Sequence, residues 1–96
     1  MKKYEAMFIV NPDLNEDVKK DLFSKIKDAI TKNNGNVMSA DIWSEKRKLF
    51  FRIKKYREGI YYLVNFNAST PDIQNISHEY KLNENILRVM ITQAVL

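Results

Sequence analysis

Lys46, Lys48, Arg52 and Lys54 recur at even-numbered positions along one short stretch, with Phe50 among them. In an extended chain the side chains alternate sides, so these residues would share one side. Point charges in a line suit successive phosphates better than one compact ligand, and such contacts position a protein on nucleic acid without reading its sequence. Arg47 falls on the opposite side, with Leu49, Phe51 and Ile53. The segment 45–59, EKRKLFFRIKKYREG, holds seven Lys or Arg against two acids, a net of +5, whereas the whole chain is +4 and the remainder therefore −1. The ordinary reading of any single surface lysine is a solvated side chain that aids solubility. Charge of one sign gathered in one place costs self-repulsion and attracts polyanions, of which nucleic acid is the commonest.

The residues needed for other chemistries are missing or scattered. There is no cysteine, so neither a thiolate metal site nor a disulfide framework can be assembled, and His78, the only histidine, has no partner spaced for metal binding. Two glycines are too few for a phosphate-cradling loop or a dinucleotide fingerprint. Ser69 and Ser77 have no base with identifiable geometry, and Asp13, Glu16 and Asp17 read as a helix-capping cluster rather than paired carboxylates. The expectation is a non-catalytic chain with no metal, no cofactor and no small-molecule substrate.

Ninety-six residues make one domain, 1–96, with a thin core. A hydrophobic fraction of 45% and a charged fraction of 29% are globular values. The N-terminal MKKYEAMFIVNPDL has too short an apolar run for a secretory signal. No stretch approaches the ~20 apolar residues of a membrane span. The chain is expected to be soluble and cytoplasmic, with no membrane partner.

The periodicities supply the frame for the basic segment. Residues 3–10 read as a strand apolar on both faces, ended by Asn11-Pro12-Asp13. A helix over about 15–33 is capped by Asn15 or Asp13, with Val18, Leu22, Ile26, Ala29 and Ile30 as its apolar stripe and Asn34-Gly35 as its left-handed C-cap. Two strand pieces follow, 37–43 and 48–53, separated at Ser44–Lys46 by a bulge or an exposed extension of the hairpin. Tyr56-Arg57-Glu58-Gly59 reads as the turn, with Gly59 at positive φ, and the return strand covers 60–68. Ser69-Thr70-Pro71-Asp72 starts a second helix, with a hydroxyl cap and proline at its first position. The last strand is 86–94.

The order strand, helix, strand, strand, helix, strand predicts an α+β fold of the ferredoxin-like βαββαβ type. It places two helices on one face of a four-stranded antiparallel sheet. In this arrangement Leu49, Phe51 and Ile53 are expected to face the helices and hold the basic hairpin to the domain. That fold hosts many functions. An RNA-recognition motif would need stacking aromatics in its third strand, yet Ile60 stands at the first aromatic place, Asn65 at the last, and the acid Glu58 at the basic one. A ligand-sensing regulatory domain would need the glycine-rich loops or Cys/His ligands that are absent. A phosphate-backbone binder working through its hairpin fits the charge pattern.

Several stretches in order carry a further likeness. They are Tyr4-Glu5, Asn11-Pro12-Asp13-Leu14, Gly35-x-Val37 and Asp41-x-Trp43, then Lys46-Arg47-Lys48-Leu49-x-Phe51-x-Ile53-Lys54-Lys55. Gly59-x-Tyr61-x-Leu63-x-Asn65-Phe66-x-Ala68 and Leu82-Asn83-Glu84-x-Ile86-Leu87-Arg88-x-Met90 complete the set. Together they resemble the bacterial small-subunit ribosomal protein six family over essentially the whole chain. The resemblance implies a structural constituent of the small ribosomal subunit. Such a protein binds the central domain of small-subunit rRNA together with small-subunit ribosomal protein eighteen, its heterodimer partner. It also implies that the family's basic segment falls on Lys46, Arg47 and Lys48 and its last-strand cation on Arg88. Where the family has Ala, Tyr and Pro this chain has Phe50, Phe51 and Arg52, and Ser44 stands where glycine usually follows the tryptophan. The candidate RNA-binding residues are Lys46, Arg47, Lys48, Arg52, Lys54 and Arg88. The alternative is a non-catalytic protein–protein adaptor whose basic hairpin only aids solubility.

Overall fold

The computed structural model describes residues 1–94. Its elements are β1 (Lys2–Val10), α1 (Glu16–Lys32), β2 (Asn36–Ile53), β3 (Tyr56–Ala68), α2 (Thr70–Lys81) and β4 (Ile86–Gln93). The strands form one antiparallel sheet in the order β2-β3-β1-β4, the ferredoxin-like arrangement. Sequence-adjacent β2 and β3 pair directly, while each βαβ crossover carries the chain past an intervening strand.

Alternation along β1 decides which face is sealed. Tyr4, Ala6, Phe8 and Val10 are buried, and their cross-strand partners Phe66, Val64, Tyr62 and Ile60 complete the row. Leu22, Ile26, Ala29 and Ile30 of α1 and Ile76 and Tyr80 of α2 close onto this side. Phe23 stacks flat on Tyr62 at 4.1 Å between centroids, and Tyr80 meets Phe8 edge to face at 4.7 Å. The other side of β1 is only half-buried at Met7 and Ile9 and open at Glu5, so the expectation of two sealed faces holds for one. Val18, assigned to the helix stripe, is 40% exposed, because it sits in the first turn of α1 beyond the reach of the sheet.

Helix ends follow local chemistry with small departures. Asn15 caps α1 by accepting the Val18 amide at 2.9 Å, and Glu16 and Asp17 place negative charge at the positive end of the dipole. At the C-terminus Asn34, not Gly35, takes the left-handed conformation, at φ 66°. Gly35 is needed for room: a β-carbon there would lie 2.6 Å from Ile30 Cγ2 and 2.9 Å from the Ile30 carbonyl oxygen, which accepts the Gly35 amide at 2.8 Å. In α2 Thr70 is the first helical residue and Pro71 follows it; Ser69 makes no side-chain cap. The Thr70 hydroxyl is engaged instead with Tyr4 Oη at 3.1 Å.

Candidate nucleic-acid interface

β2 runs unbroken for 18 residues, so the two expected strand pieces are one strand. Its pairing with β3 is irregular at four places. Between Val37 and Ser39, Ile42 and Ser44, and Ser44 and Arg47, β2 advances one residue more than β3; between Lys48 and Ile53 it advances three more. Extra residues on one strand of an antiparallel pair bend it and increase its twist. Here they lie on the edge strand and all on the same strand.

The turn is accordingly shorter than expected and in a different place. Ile53 pairs with Tyr56, leaving Lys54-Lys55 as a two-residue loop, with Lys54 at φ 58°. Gly59 is not in the turn and has no positive φ; it is buried inside β3. A β-carbon there would come within 2.4 Å of Ile9 Cγ2, so glycine allows the strand to pass closely over Ile9.

The curl carries the hairpin tip to the far side of the sheet. Lys54 Nζ donates to the Glu84 carbonyl oxygen at 3.4 Å, in the loop that leads into β4. β2 and β4 are opposite edges, yet Leu49, Phe50, Phe51 and Ile53 line one groove with Ile9, Tyr61 and Arg88. Ile9 pairs with both Tyr61 and Arg88, and all three alternate against the buried row, so the groove lies on the open face. This overturns the expected side for Leu49, Phe51 and Ile53. They turn away from the helices, and Phe51 remains 83% exposed. The bulges before Arg47 had shifted the alternation, which sequence periodicity alone cannot register.

Arg47 lies on this same side. Its guanidinium carbon is 4.9 Å from the Trp43 ring centroid and 5.6 Å from that of Tyr61, and the two rings are 5.8 Å apart. A planar cation over two aromatic faces is held in place while its edge donors stay free.

The six candidate residues are all exposed. Among the described residues, none of the six takes part in an ion pair. Lys48 stands opposite Glu58 in the ladder without forming an ion pair with it. Arg47 lies over the Tyr61 ring and Arg88 lines the same groove as Tyr61, so two cations 41 positions apart in sequence, one on each edge strand, both relate to that ring. Lys46, Lys48, Arg52 and Lys54 do not form the straight row that two-residue spacing suggested. The three-residue excess between Lys48 and Ile53 and the left-handed Lys54 break the alternation.

Trp43, Tyr61 and Ile9, the platform under these cations, were not read from the sequence. Tyr61 and Ile9 occupy the odd rows of strands whose even rows form the core, and that parity was the available signal. Among the described residues no group of three or more His, Cys, Asp or Glu is placed to hold a metal ion, and no helix is long and apolar enough to cross a membrane.

Comparison with known proteins adds an independent line. Residues 3–93 match the family model described as ribosomal protein S6. The small ribosomal subunit protein bS6 of Thermoanaerobacter pseudethanolicus is 40% identical over 91 residues, covering 95% of each chain. That of Clostridioides difficile is 35% identical over 94 residues, 98% of this chain and all of the relative. Among solved structures, the crystal structure of 30S ribosomal protein S6 from Thermotoga maritima superposes with a TM-score of 0.89 at 26% identity, covering 97% of this chain and 87% of that one. The C-terminal domain of the MgtC protein from Mycobacterium tuberculosis shares the fold at a TM-score of 0.65 with 8% identity.

Proposed function

The chain belongs to the ribosomal protein S6 family and is a protein of the small ribosomal subunit. From that premise we propose that it is a non-catalytic constituent of the cytoplasmic ribosome that binds the central domain of small-subunit rRNA together with small-subunit ribosomal protein eighteen. The observation that carries the RNA-binding part is the set of cations on and around the curled hairpin that have no acid partner among the described residues. Lys46, Arg47, Lys48, Arg52 and Lys54 are exposed on β2 and its turn, and Arg88 of β4 lines the groove under the hairpin tip. In a family member such charge, unpaired among the described residues, finds its counter-charge in the phosphate backbone.

A second reading, a protein–protein adaptor, draws on the exposure of Phe50 and Phe51, since large exposed rings also mark protein interfaces. Binding of the pre-formed heterodimer to a central-domain rRNA fragment and to scrambled RNA of equal length separates the two. The rRNA reading expects preferential binding of the fragment. Absence of RNA binding, with the heterodimer intact, favours the adaptor.

A further inference from the structure

The groove under the hairpin tip contains two rings that ordinary strand geometry would separate. Phe50 and Phe51 are consecutive, and in a regular strand consecutive side chains point to opposite faces. Both nonetheless line the same groove, because β2 carries three unpaired extra residues between Lys48 and Ile53. Neither ring is packed into the protein: Phe50 is fully exposed and Phe51 is 83% exposed.

The surroundings restrict the occupant. Ile9, Leu49, Ile53 and Tyr61 form an apolar and aromatic floor. Among the described residues Arg88 is the only charged one lining it, and Arg47 lies over the Tyr61 ring, 5.6 Å from its centroid. No carboxylate of the described residues lines the groove. Its volume is about 290 Å³, at the small end of ligand sites and suited to a planar ring system rather than a docked helix. Apolar faces to stack on, cations at the rim and no acid within are what an unpaired nucleobase on an anionic backbone requires.

We propose that this groove receives an unstacked base of single-stranded or bulged RNA between the Phe50 and Phe51 rings and the Tyr61 floor, with Arg47 and Arg88 holding its flanking phosphates. The proposal rests on the RNA-binding reading above and adds a stacking contact to what would otherwise be backbone contact alone. It gives Phe50 and Phe51 a use that packing does not.

Trp43 is the only tryptophan in the chain and packs on Tyr61, so its fluorescence reports occupation of the groove. The test titrates the whole chain at low salt with hexa-adenylate and with an abasic hexamer carrying the same phosphates. Hexa-adenylate is expected to bind about tenfold more tightly and to quench Trp43. A Phe50→Leu/Phe51→Leu double variant retains apolar area but no rings; both positions are exposed, so the fold is unaffected. In it the preference is expected to fall to near unity with the salt slope unchanged. Equal binding of the two oligomers by the native chain, or an undiminished preference in the leucine variant, overturns the stacking site while the cation reading stands. No binding of either oligomer overturns the stacking site, and the cation reading is then decided by the heterodimer's binding to the rRNA fragment. In intact small subunits, ultraviolet cross-linking of the 50–51 segment to an rRNA nucleotide is expected, and cross-linking of that segment to protein alone overturns the proposal.

Discussion

The Arg47 guanidinium carbon lies 4.9 Å from the centroid of the Trp43 ring, across one of the register shifts of the bulged edge strand. Four residues apart on β2, the two meet because the pairing shifts between Ser44 and Arg47. A cation on an exposed aromatic face is worth about 0.5–1 kcal/mol. A double-mutant cycle of Arg47→Ala and Trp43→Ala, followed by urea unfolding, should return a coupling of that size. Arg47→Lys should keep only part of it, since an ammonium cannot lie flat over two rings. A coupling of zero would show that the pair is not formed in solution.

Gly59 and Ile9 form a second tight pair. Gly59→Ala places a methyl 2.4 Å from Ile9 Cγ2, on extended backbone that alanine itself tolerates, so the cost is steric. A loss of about 1–3 kcal/mol is expected. Ile9→Ala removes the opposing methyl, so the double variant should be less destabilised than the sum of the two single changes. Strict additivity in chemical denaturation contradicts the close approach.

Lys54 holds a left-handed conformation, which costs roughly 1 kcal/mol for an ordinary residue and less for asparagine. Lys54→Asn should therefore leave stability unchanged or raise it by a few tenths of a kcal/mol, despite losing the bond to the Glu84 carbonyl. The same variant should bind rRNA more weakly. A variant both less stable and unaltered in binding would reverse the assignment of that lysine.

The helices are joined at Glu79, which accepts from Asn33 Nδ2 at 2.6 Å and from Lys32 Nζ at 3.2 Å. Burial alone would raise its carboxyl pKa, but the Asn33 and Lys32 hydrogen bonds and the Lys32 charge outweigh it and hold the group below the usual range. A depressed folded-state value contributes stability above the unfolded value of about 4.3, lost as pH falls through the folded one. Glu79→Gln should accordingly lower stability at neutral pH and flatten its decline in acid below about pH 4. An acid limb of unchanged steepness would place the sensitivity elsewhere.

Elements set by local chemistry were legible from residue order alone. Asn15, Glu16 and the spacing of Leu22, Ile26 and Ile30 specify α1 because cap and stripe are local properties. The even rows of β1 and β3 were readable because one face is fully sealed. The candidate site was less legible for the same physical reason in reverse. β2 has no buried residue to fix its parity, so bulges could shift the alternation and carry Leu49 and Phe51 to the open face. Gly59 looked like a turn residue because glycine suits both positive φ and close approach, and only the position of Ile9 distinguishes them. That the 49–53 segment and Arg88 line one groove depends on the curl of a whole hairpin, which no local pattern encodes.

The central claim, that the hairpin cations contact rRNA phosphates, is tested most directly by salt dependence. Binding of the pre-formed heterodimer to a central-domain rRNA fragment is measured across a range of salt concentrations for the native chain and for Lys46→Ala/Arg47→Ala/Lys48→Ala. Each lost phosphate contact removes about 0.7–0.9 from the log–log slope. The triple variant should therefore show a slope flatter by about two to three units, with native circular dichroism and an unfolding midpoint lowered only by the lost Arg47–Trp43 contact. A folded triple variant with the native slope would contradict the account.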